Sequence, residues 1–305
     1  MASNIIEVEH FTKKYGDFTA VDDITFAVEE GAVFAFLGPN GAGKSTTINT
    51  LCTIQDKTSG KLTINGHDLG TEKNAVRADI GIVFQESTLD SKLTVEQNLD
   101  LHCRFYNVPK AERKQRIDFA LDLVDLADWK KATVGSLSGG MKRRVEIARG
   151  LIHFPKVLFL DEPTAGLDPQ TRANVWDYII RLQKEKDITI FLTTHYLDEA
   201  EICASVAIMD HGKIAAFDTP DNLKKAHSQS CLKIKTESVG DIRRYLDNRS
   251  IKSDESEGTV KAYSKNTGLL LDVLAVWRDK IIDFEVSKGS LNDVFLAVTG
   301  KEIRE

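Results

Sequence analysis

The feature that most constrains this chain is a glycine-rich segment between an apolar run and a helix-forming run. Residues 38–45 read GPNGAGKS, which matches the pattern G-x-x-x-x-G-K-[ST]. The apolar run Val33–Leu37 before it predicts a buried strand, and residues 46–51 favour a helix. Backbone N–H groups at such a strand–helix turn converge on one point, which suits a polyphosphate. The segment therefore predicts a phosphate-binding loop rather than a turn that binds nothing.

The residue types in this loop fit a nucleoside triphosphate. Glycines let the backbone approach phosphate oxygens closely. Lys44 can reach the β- and γ-phosphates, and the Ser45 hydroxyl can ligate Mg²⁺. We expect the nucleotide to be held by Gly38, Pro39, Asn40, Gly41, Ala42, Gly43, Lys44, Ser45 and Thr46. The loop alone leaves kinases and GTPases open, since many NTPase classes share it.

A second apolar run ends in two adjacent carboxylates. Residues 157–160 read VLFL, as expected for the centre of a parallel sheet, and Asp161 and Glu162 follow directly. A strand end places Asp161 beside the phosphate loop, where it can hold Mg²⁺ through water. Glu162 is suited to polarise the attacking water. This pair favours hydrolysis of the bound triphosphate.

Size and charge narrow the class of protein. A chain of 305 residues has room for one large domain and a smaller one. The net charge of -6 argues against a dominant nucleic-acid surface, so we expect no nucleic-acid partner. No apolar run approaches the ~18–20 residues that span a bilayer, and the first residues lack the layout of a secretion signal. Because the four cysteines are scattered without a C-x-x-C pair, we expect a cytoplasmic protein whose membrane-spanning part, if any, is another chain.

The order of patterns along the chain predicts an α/β fold with two domains. Strands alternate with helices, which is typical of a parallel sheet core, and a helical insertion interrupts them. Asn65-Gly66 and His211-Gly212 predict hairpin turns. Residues 94–97 predict a capping box at the start of one helix, and apolar residues at helical spacing predict another helix over residues 111–129. We expect a nucleotide-binding domain over residues 1–226, with a helical subdomain at about 86–155. A small C-terminal accessory α/β domain is expected over residues 231–305. Its acidic tract at residues 254–258 is expected to be a solvated loop.

Residues 137–141, LSGGM, resemble the signature sequence of ATP-binding-cassette (ABC) ATPases. The segment is a helix N-terminus with two glycines and a hydroxyl, an anion site in its own right. Further segments resemble other motifs of that family, in the family's order. These are Tyr15 for the aromatic on adenine, Gln85 for the Q-loop glutamine, Ala165–Asp168 for the D-loop and His195 for the switch histidine. The tail at residues 290–300 is similar to that of daunorubicin-resistance export subunits.

The resemblance implies a fold and a set of site residues. The fold is a P-loop NTPase cassette: a mixed sheet core, an antiparallel β subdomain and a helical subdomain, plus the small C-terminal domain. The implied ligands are ATP, with Tyr15 on adenine, and Mg²⁺. The implied metal-binding residues are Ser45, Gln85 and Asp161. The implied catalytic residues are Gln85, Glu162 and His195. Further implied nucleotide contacts are Ser138, Gly139, Gly140 and Asp168.

The resemblance also implies partners. The signature helix of one copy closes on the γ-phosphate held by another, in a head-to-tail homodimer. Met141 departs from the glutamine that many members carry, which leaves a side-chain contact to ribose open. The implied role is the ATP-hydrolysing motor of an exporter for a drug-like, lipid or glycan substrate. It would act at the inner face of the cell membrane through separate permease subunits, docking through residues 86–105. An importer motor and a soluble ABC ATPase of translation or cofactor assembly are the alternatives.

Overall fold

The computed structural model of the chain describes residues 3–256 and 258–300. The chain divides into two compact units between Phe217 and Asp218. None of the helices within the described residues is long and apolar enough to cross a membrane.

The first unit contains ten strands and seven helices among the described residues. The strands are β1 (Asn4–Tyr15), β2 (Phe18–Glu29), β3 (Val33–Leu37), β4 (Ser59–Ile64), β5 (His67–Asp68), β6 (Ile80–Val83), β7 (Val157–Asp161), β8 (Thr189–Thr194), β9 (Ser205–Asp210) and β10 (Lys213–Asp218, which ends at the division). The helices are α1 (Lys44–Leu51), α2 (Lys73–Asp79), α3 (Val95–Phe105), α4 (Lys110–Leu123), α5 (Gly139–Leu151), α6 (Pro169–Lys186) and α7 (Leu197–Ala200). Short 3₁₀ turns lie at Ala127–Trp129 and Val134–Ser136.

These strands form two sheets. The larger has the order β10-β9-β3-β8-β7-β6, and its pairs β3–β8, β7–β8, β6–β7 and β3–β9 are parallel. The smaller has the order β2-β1-β4-β5 and is antiparallel. Strands β3, β7 and β8 are buried at every residue, because both faces of the parallel sheet are covered. The predicted mixed core with an antiparallel β subdomain is confirmed.

Two hairpin turns follow from the sequence. Asn65 and Gly66 have φ values of 50° and 79°, and His211 and Gly212 have φ values of 47° and 77°. Two consecutive residues with positive φ are the mark of the tight turn that matches strand twist. Both predicted hairpins are confirmed.

In the helical subdomain, the start of α3 is as predicted from the sequence, but the end of α4 is not. The capping box at the start of α3 is formed: the Thr94 hydroxyl accepts from the Gln97 N–H, and the Gln97 amide accepts from the Thr94 N–H. The sequence pattern suggests one helix from residue 111 to residue 129, and this is wrong. Helix α4 ends at Leu123 because Asp125 has a left-handed φ of 51°, which a helix cannot continue through.

Helix α5 and strand β6 touch backbone to backbone. A Cβ added at Gly81 would lie 2.2 Å from the carbonyl oxygen of Gly150. Only glycine permits this approach. The C-terminal end of α5 is therefore fixed against the sheet.

The second unit is a small α/β domain. Its elements are α8 (Pro220–His227), β11 (Ser230–Lys235), α9 (Val239–Asp247), β12 (Lys252–Ser256), β13 (Thr259–Ser264), α10 (Thr267–Trp277), the 3₁₀ turn Arg278–Lys280, β14 (Asp283–Ser287) and α11 (Leu291–Thr299). From β11 to β14 the order is βαββαβ, with an antiparallel sheet β12-β13-β11-β14. Its core lies on the sheet face that α9 and α10 cover. Helix α8, which the sequence places in the domain over residues 1–226, groups with this unit because it packs on α11.

The acidic tract in this unit is partly strand, so its interpretation as a loop is wrong for residues 254–256. These residues belong to β12 and pair with β13. Pairing at the sheet edge satisfies the backbone while the side chains stay in water, so an acidic sequence is compatible with a strand here. Gly258 makes the turn with a φ of 74°. Residue 257 lies outside the described residues.

Candidate active site

The order of the parallel strands brings four predicted site segments to one edge. In the β7–β8 register Asp161 lies opposite Thr193, and in the β3–β8 register Leu37 lies opposite Thr194. Strands β3, β8, β7 and β6 are neighbours in that order. The residues that follow their carboxyl ends therefore meet at one edge, as in other open α/β sheets. These residues are Gly38, His195, Glu162 and, one residue beyond Phe84, Gln85.

The phosphate loop needs glycine at two positions for steric reasons. A Cβ at Gly38 would lie 2.3 Å from the carbonyl oxygen of Met209. Gly43 has a φ of 107°, and a Cβ there would lie 2.7 Å from the carbonyl oxygen of Ala20. The loop is thus held against β2 and β9, and its glycines permit a backbone path that other residues would block.

Lys44 supplies the positive charge of the site from a buried position. Its Nζ donates to the carbonyl oxygens of Gly38 (2.6 Å) and Pro39 (3.1 Å). It also lies 3.9 Å from Oε1 of Glu162. Burial lowers the pKa of the Lys44 ammonium, and the carboxylates of Glu162 and Asp161 act in the opposite direction.

The two carboxylates at the end of β7 have different surroundings. Oδ1 of Asp161 accepts from the hydroxyls of Ser45 (3.4 Å) and Thr193 (2.5 Å). Glu162 has a left-handed φ of 45°, and its N–H donates to the Thr193 hydroxyl (3.0 Å). A left-handed glutamate costs on the order of 1–3 kcal/mol, and such strain is concentrated at functional sites. The backbone at residue 162 is thus held in a costly conformation that aims its side chain at the loop.

Three other polar side chains approach the Glu162 carboxylate. Nε2 of Gln85 donates to Oε2 of Glu162 at 3.2 Å. Nδ1 of His195 lies 3.4 Å from the same oxygen, in a geometry that does not complete a hydrogen bond. This nitrogen is buried without a partner, which is costly unless a ligand supplies one. With Lys44 on the other side, Glu162 is the centre of the site.

A cavity of about 250 Å³ lies over the loop. Its lining includes residues of the phosphate loop together with Gln85, Glu162 and two aromatic side chains, Tyr15 and Phe18. These rings are 44% and 66% exposed, at the β1–β2 turn. The Tyr15 hydroxyl donates to Oε1 of Gln55. The sequence singles out Tyr15 but not Phe18, whose only signal is its position two residues after the turn begins.

The signature segment does not join this cavity. Ser138 caps α5, its hydroxyl accepting from the Met141 N–H at 3.3 Å, and Ser138 and Gly139 are exposed. A Cβ at Gly140 would lie 2.3 Å from Cγ2 of Thr171, so Gly140 packs directly on α6. Asp168 is also exposed and caps α6, accepting from the Thr171 N–H and hydroxyl. Ser138, Gly139 and Asp168 are thus exposed on the surface of a single copy and do not line the cavity over its phosphate loop.

Sequence comparison assigns the family. Residues 21–165 match the ABC transporter family. The daunorubicin resistance ATP-binding protein DrrA2 of Streptomyces coeruleorubidus is 36% identical over 97% of this chain and 95% of its own length. The chain belongs to the ABC transporter family. The Nod factor export ATP-binding protein I of Ralstonia nicotianae is 34% identical over 99% of this ABC subunit and 95% of that protein.

Solved structures agree with this assignment of the ABC subunit. The cbiO1 protein of Clostridium perfringens, part of the ABC transporter complex cbiONQ, superposes with a TM-score of 0.68 at 31% identity. That match covers 80% of this chain and 94% of the other. A dimeric ATP-binding cassette in a post-hydrolysis state with ADP and Pi gives 0.64 at 27% identity, covering 70% and 98%. The prediction of an ATP-hydrolysing subunit of an exporter is confirmed, and the importer and non-transport alternatives are not supported.

Arg143 of the ABC subunit is a site residue that sequence reasoning missed. It lies two residues beyond the signature, is 6% exposed and forms a salt bridge with Glu146 at 3.1 Å. Its guanidinium also donates to the carbonyl oxygens of Phe84, Asp161 (3.1 Å), Glu162 (3.2 Å) and Pro163 (2.6 Å). One side chain on α5 therefore holds together the strand end before Gln85 and the carboxylate pair. The charged pair at residues 143–144 was the available signal.

Glu199 links two further segments of the ABC subunit. It is buried, and its carboxylate accepts from the hydroxyls of Thr194 (2.6 Å) and Thr164. Thr194 precedes His195, and Thr164 precedes the segment Ala165–Asp168. The two segments thus share one buried acceptor, which nothing in the local sequence indicates.

Proposed function

We propose that this chain is the motor of a drug-type ABC exporter. MgATP binds over the phosphate loop, a second copy completes the site, and Glu162 directs hydrolysis. The observation that carries the proposal is the position of the Glu162 carboxylate among Lys44, Gln85 and His195 at one sheet edge.

The residues present fit a magnesium ion that arrives with the triphosphate. Mg²⁺ is usually held by one or two protein side chains together with phosphate oxygens and water. The Ser45 hydroxyl and the Asp161 carboxylate lie side by side at 3.4 Å, with Gln85 nearby at the same edge. Residues 3–256 and 258–300 hold no group of three or more His, Cys, Asp or Glu that could bind a metal by themselves. When bound, the ion neutralises charge on the phosphates.

Glu162 is the group suited to accept the proton of the attacking water. It is buried beside Lys44, and the Gln85 amide orients one of its oxygens. The unpartnered Nδ1 of His195 is 3.4 Å from that oxygen and is suited to a γ-phosphate oxygen in the same space. The Lys44 ammonium, which here donates to loop carbonyls, has a second set of acceptors once phosphates enter. Hydrolysis is thereby confined to the point where these groups meet.

A second copy supplies what one chain lacks. Ser138 and Gly139 form a helix N-terminus that is exposed and does not line the cavity over the loop. Such a terminus suits an anion. We infer a head-to-tail homodimer in which this terminus and Asp168 of one copy approach the nucleotide of the other. The dimeric cassette that the chain resembles supports this arrangement.

The substrate and the membrane partner are inferred from relatives and from surface chemistry. Relatives along the whole chain include proteins of daunorubicin resistance and of linearmycin resistance, the latter from Bacillus subtilis. We therefore propose a drug-like substrate that passes through a separate permease. Leu101 and Phe105 on α3 are exposed apolar residues within the stretch 86–105, which supports docking of a permease segment there. The ATPase would then lie on the inner face of the cell membrane.

The direct test is Glu162→Gln. The amide keeps the shape of the side chain but cannot accept the water's proton, so we expect kcat to fall by ~10²–10⁴. ATP binding should persist, measured by equilibrium titration, and ATP should drive the variant into a dimer, measured by light scattering. Glu185→Gln, an exposed glutamate on α6, is the matched control and should leave all three readouts unchanged. Near-normal turnover by Glu162→Gln would remove Glu162 from the proposed role.

A further inference from the structure

The sheet of the second unit has one face packed under α9 and α10 and a second face opposite it. Alternate residues of its two central strands, Cys231 and Lys233 on β11 and Lys261 and Tyr263 on β13, lie on the face opposite the buried core. The end of α8 and the start of α11 border this face. Together they enclose a groove of about 510 Å³. That volume is in the range of small-molecule sites.

The groove is basic although the chain as a whole is acidic. Five lysines line it: Lys233, Lys252, Lys261, Lys265 and Lys288. Lys233 is paired with Glu285 at 2.9 Å, and Lys265 donates to the carbonyl oxygen of Ala226 at 2.9 Å. The other three have no carboxylate within 4.0 Å among the described residues. A chain of net charge -6 thus gathers three uncompensated ammonium groups in one concave place.

The acidic groups near the groove do not cancel this charge. Asp293 lines the groove, but its carboxylate accepts from the N–H and hydroxyl of Ser290 (2.8 Å each) as the cap of α11. Asp254 lies opposite Lys261 in the β12–β13 register and does not form an ion pair with it within 4.0 Å. Ammonium groups that share a cavity repel one another unless an anion joins them. The balance of charge therefore favours an anionic ligand.

Close packing and hydrogen bonds hold the residues that border the groove in place. A Cβ at Gly289 would lie 2.0 Å from Oγ and 2.6 Å from Cβ of Ser228, so the segment before α11 packs directly on the segment after α8. The Ser228 hydroxyl donates to the carbonyl oxygen of Lys224 at 2.6 Å. The floor carries the Tyr263 ring, with Nζ of Lys252 6.0 Å from its centroid. An aromatic surface beside the lysines offers contact to an uncharged part of a ligand.

We propose that this groove binds a small molecule that carries a phosphate group, with Lys252, Lys261 and Lys288 as its charge partners. A phosphate monoester has a charge of about −1.5 to −2 near neutral pH. It therefore neutralises more of the charge of three ammonium groups than a single carboxylate can. The remaining volume and the Tyr263 ring accommodate the organic part. The same chemistry is offered by a free organophosphate and by a phospholipid head group. All these residues belong to the second unit, so the site is separate from the phosphate loop.

The test uses the full chain with saturating MgADP, so that the phosphate loop is occupied. Pyrophosphate is titrated by calorimetry, and vesicles of phosphatidylglycerol with neutral phosphatidylcholine are tested by flotation. The variant is Lys252→Ala/Lys261→Ala. The matched control, Lys225→Ala/Lys235→Ala, removes two exposed lysines of the same unit that do not line the groove. Melting temperature and basal ATPase activity of both doubles should equal those of the parent.

The expected result is one pyrophosphate site per chain, weakened at least about tenfold in the groove double and within about twofold in the control, because charge-assisted contacts are lost only in the former. Lysine-dependent binding of pyrophosphate without vesicle binding identifies a free phosphate compound. Lysine-dependent flotation with phosphatidylglycerol identifies a lipid head group. Absence of both, or equal loss in the two doubles, overturns the proposal.

Discussion

At the scale of single residues, a buried cation outside the cavity holds the backbone of the site together. The Arg143 guanidinium joins α5 to the backbone carbonyls of Asp161, Glu162 and the following Pro163. Burial lowers its pKa, while Glu146 acts in the opposite direction, so the charge is retained at a desolvation cost. A planar fork with five donors can satisfy this many acceptors, and an ammonium cannot. Arg143 is thus a positioning residue for the carboxylates of Asp161 and Glu162.

Arg143→Lys should separate this role from simple charge. The lysine keeps the cation but leaves several buried carbonyls unpaired, so we expect unfolding free energy to fall by about 2–4 kcal/mol in urea titrations. We also expect kcat to fall more than KM rises, because Glu162 loses its backbone support. Arg144→Lys is the control, since Arg144 donates to the Val124 carbonyl and the Tyr178 hydroxyl and lies over the Tyr178 ring, away from the Asp161–Glu162 pair. A variant with parental kcat and stability would show that the bridge is dispensable.

The sequence could identify the residues whose role follows from their place at a strand end. Asp161 and Glu162 come directly after one apolar run, and Lys44 follows the glycine-rich turn after another; the edge of a parallel sheet brings such residues together. Arg143 and Glu199 could not be identified, because Arg143 binds backbone carbonyls of distant segments and Glu199 joins the nearby Thr194 to the distant Thr164. Which way a helical side chain points into the core depends on tertiary packing, and one sequence does not record it.

At the scale of elements, the contact between α5 and α6 places the signature. Gly140 has no room for a methyl group because Cγ2 of Thr171 would be 2.3 Å from it, whereas Gly139 faces open space. Thr171 also donates to Asp168, the cap of α6. The start of α5 and the start of α6 therefore share one packed junction.

Gly140→Ala should disrupt this junction. Overpacking typically costs about 1–3 kcal/mol, so we expect a loss of that size in the free energy of unfolding. Gly139→Ala should have little effect on stability. Adding Thr171→Ser to Gly140→Ala removes the clashing methyl and keeps the hydroxyl for Asp168, and should restore most of the loss. If the double variant is as unstable as Gly140→Ala, the clash is not the cause.

A pair of histidines between α3 and the end of α5 makes stability depend on pH. The Tyr106 and His153 rings stack with centroids 3.7 Å apart, and Nε2 of His153 donates to the Ile80 carbonyl at 2.8 Å. Burial lowers the pKa of His102 to about 3 and that of His153 to about 4. Both histidines are therefore neutral in the folded chain at neutral pH and protonate readily only when it unfolds.

The sign of the effect follows from these values. Between the unfolded pKa near 6.5 and the folded values, the unfolded chain binds more protons, so acid favours unfolding. The stabilisation is complete above about pH 6.5 and declines as the pH falls toward the folded-state pKa values of about 4 for His153 and about 3 for His102. From pH 7 to pH 5 we expect the parent to lose about 2–4 kcal/mol more than His102→Asn/His153→Asn, measured by urea unfolding at each pH. Equal slopes for the two proteins would contradict this account.

The prediction of elements was accurate where turn and cap chemistry is local. The Asn65-Gly66 turn and the Thr94 capping box were predicted because each depends on neighbouring residues alone. The end of α4 and the strand at residues 252–256 were missed. A left-handed Asp125 and an edge strand of charged residues are stabilised by the packing around them, against local preference.

At the scale of the whole molecule, one chain holds half of each proposed site. The phosphate loop and Glu162 lie in the cavity, while Ser138 faces solvent. Two head-to-tail copies would form two sites, each with a loop from one copy and a signature from the other. Activity should then depend on which copy carries a defect.

Mixing two inactive variants tests this arrangement. Lys44→Ala removes the loop charge and Ser138→Arg blocks the signature, so each alone should form only defective sites. In an equal mixture half of the dimers are mixed and each has one intact site, so we expect about one quarter of the parental ATPase rate. An inactive mixture, with dimer exchange verified by labelled chains, would show that loop and signature act within one copy.

The backbone contact of Gly81 with Gly150 fixes the C-terminal end of α5 against strand β6. Ser138 lies at the other end of this helix, roughly 18 Å from the contact at about 1.5 Å per residue. A tilt of α5 by roughly 5° about the Gly81–Gly150 contact would move Ser138 sideways by roughly 1.5 Å, about half the length of a hydrogen bond. The position of Ser138 relative to a phosphate held by a second copy would therefore depend on the contact at the other end of α5, where Gly81 and Gly150 have no side-chain methyl groups.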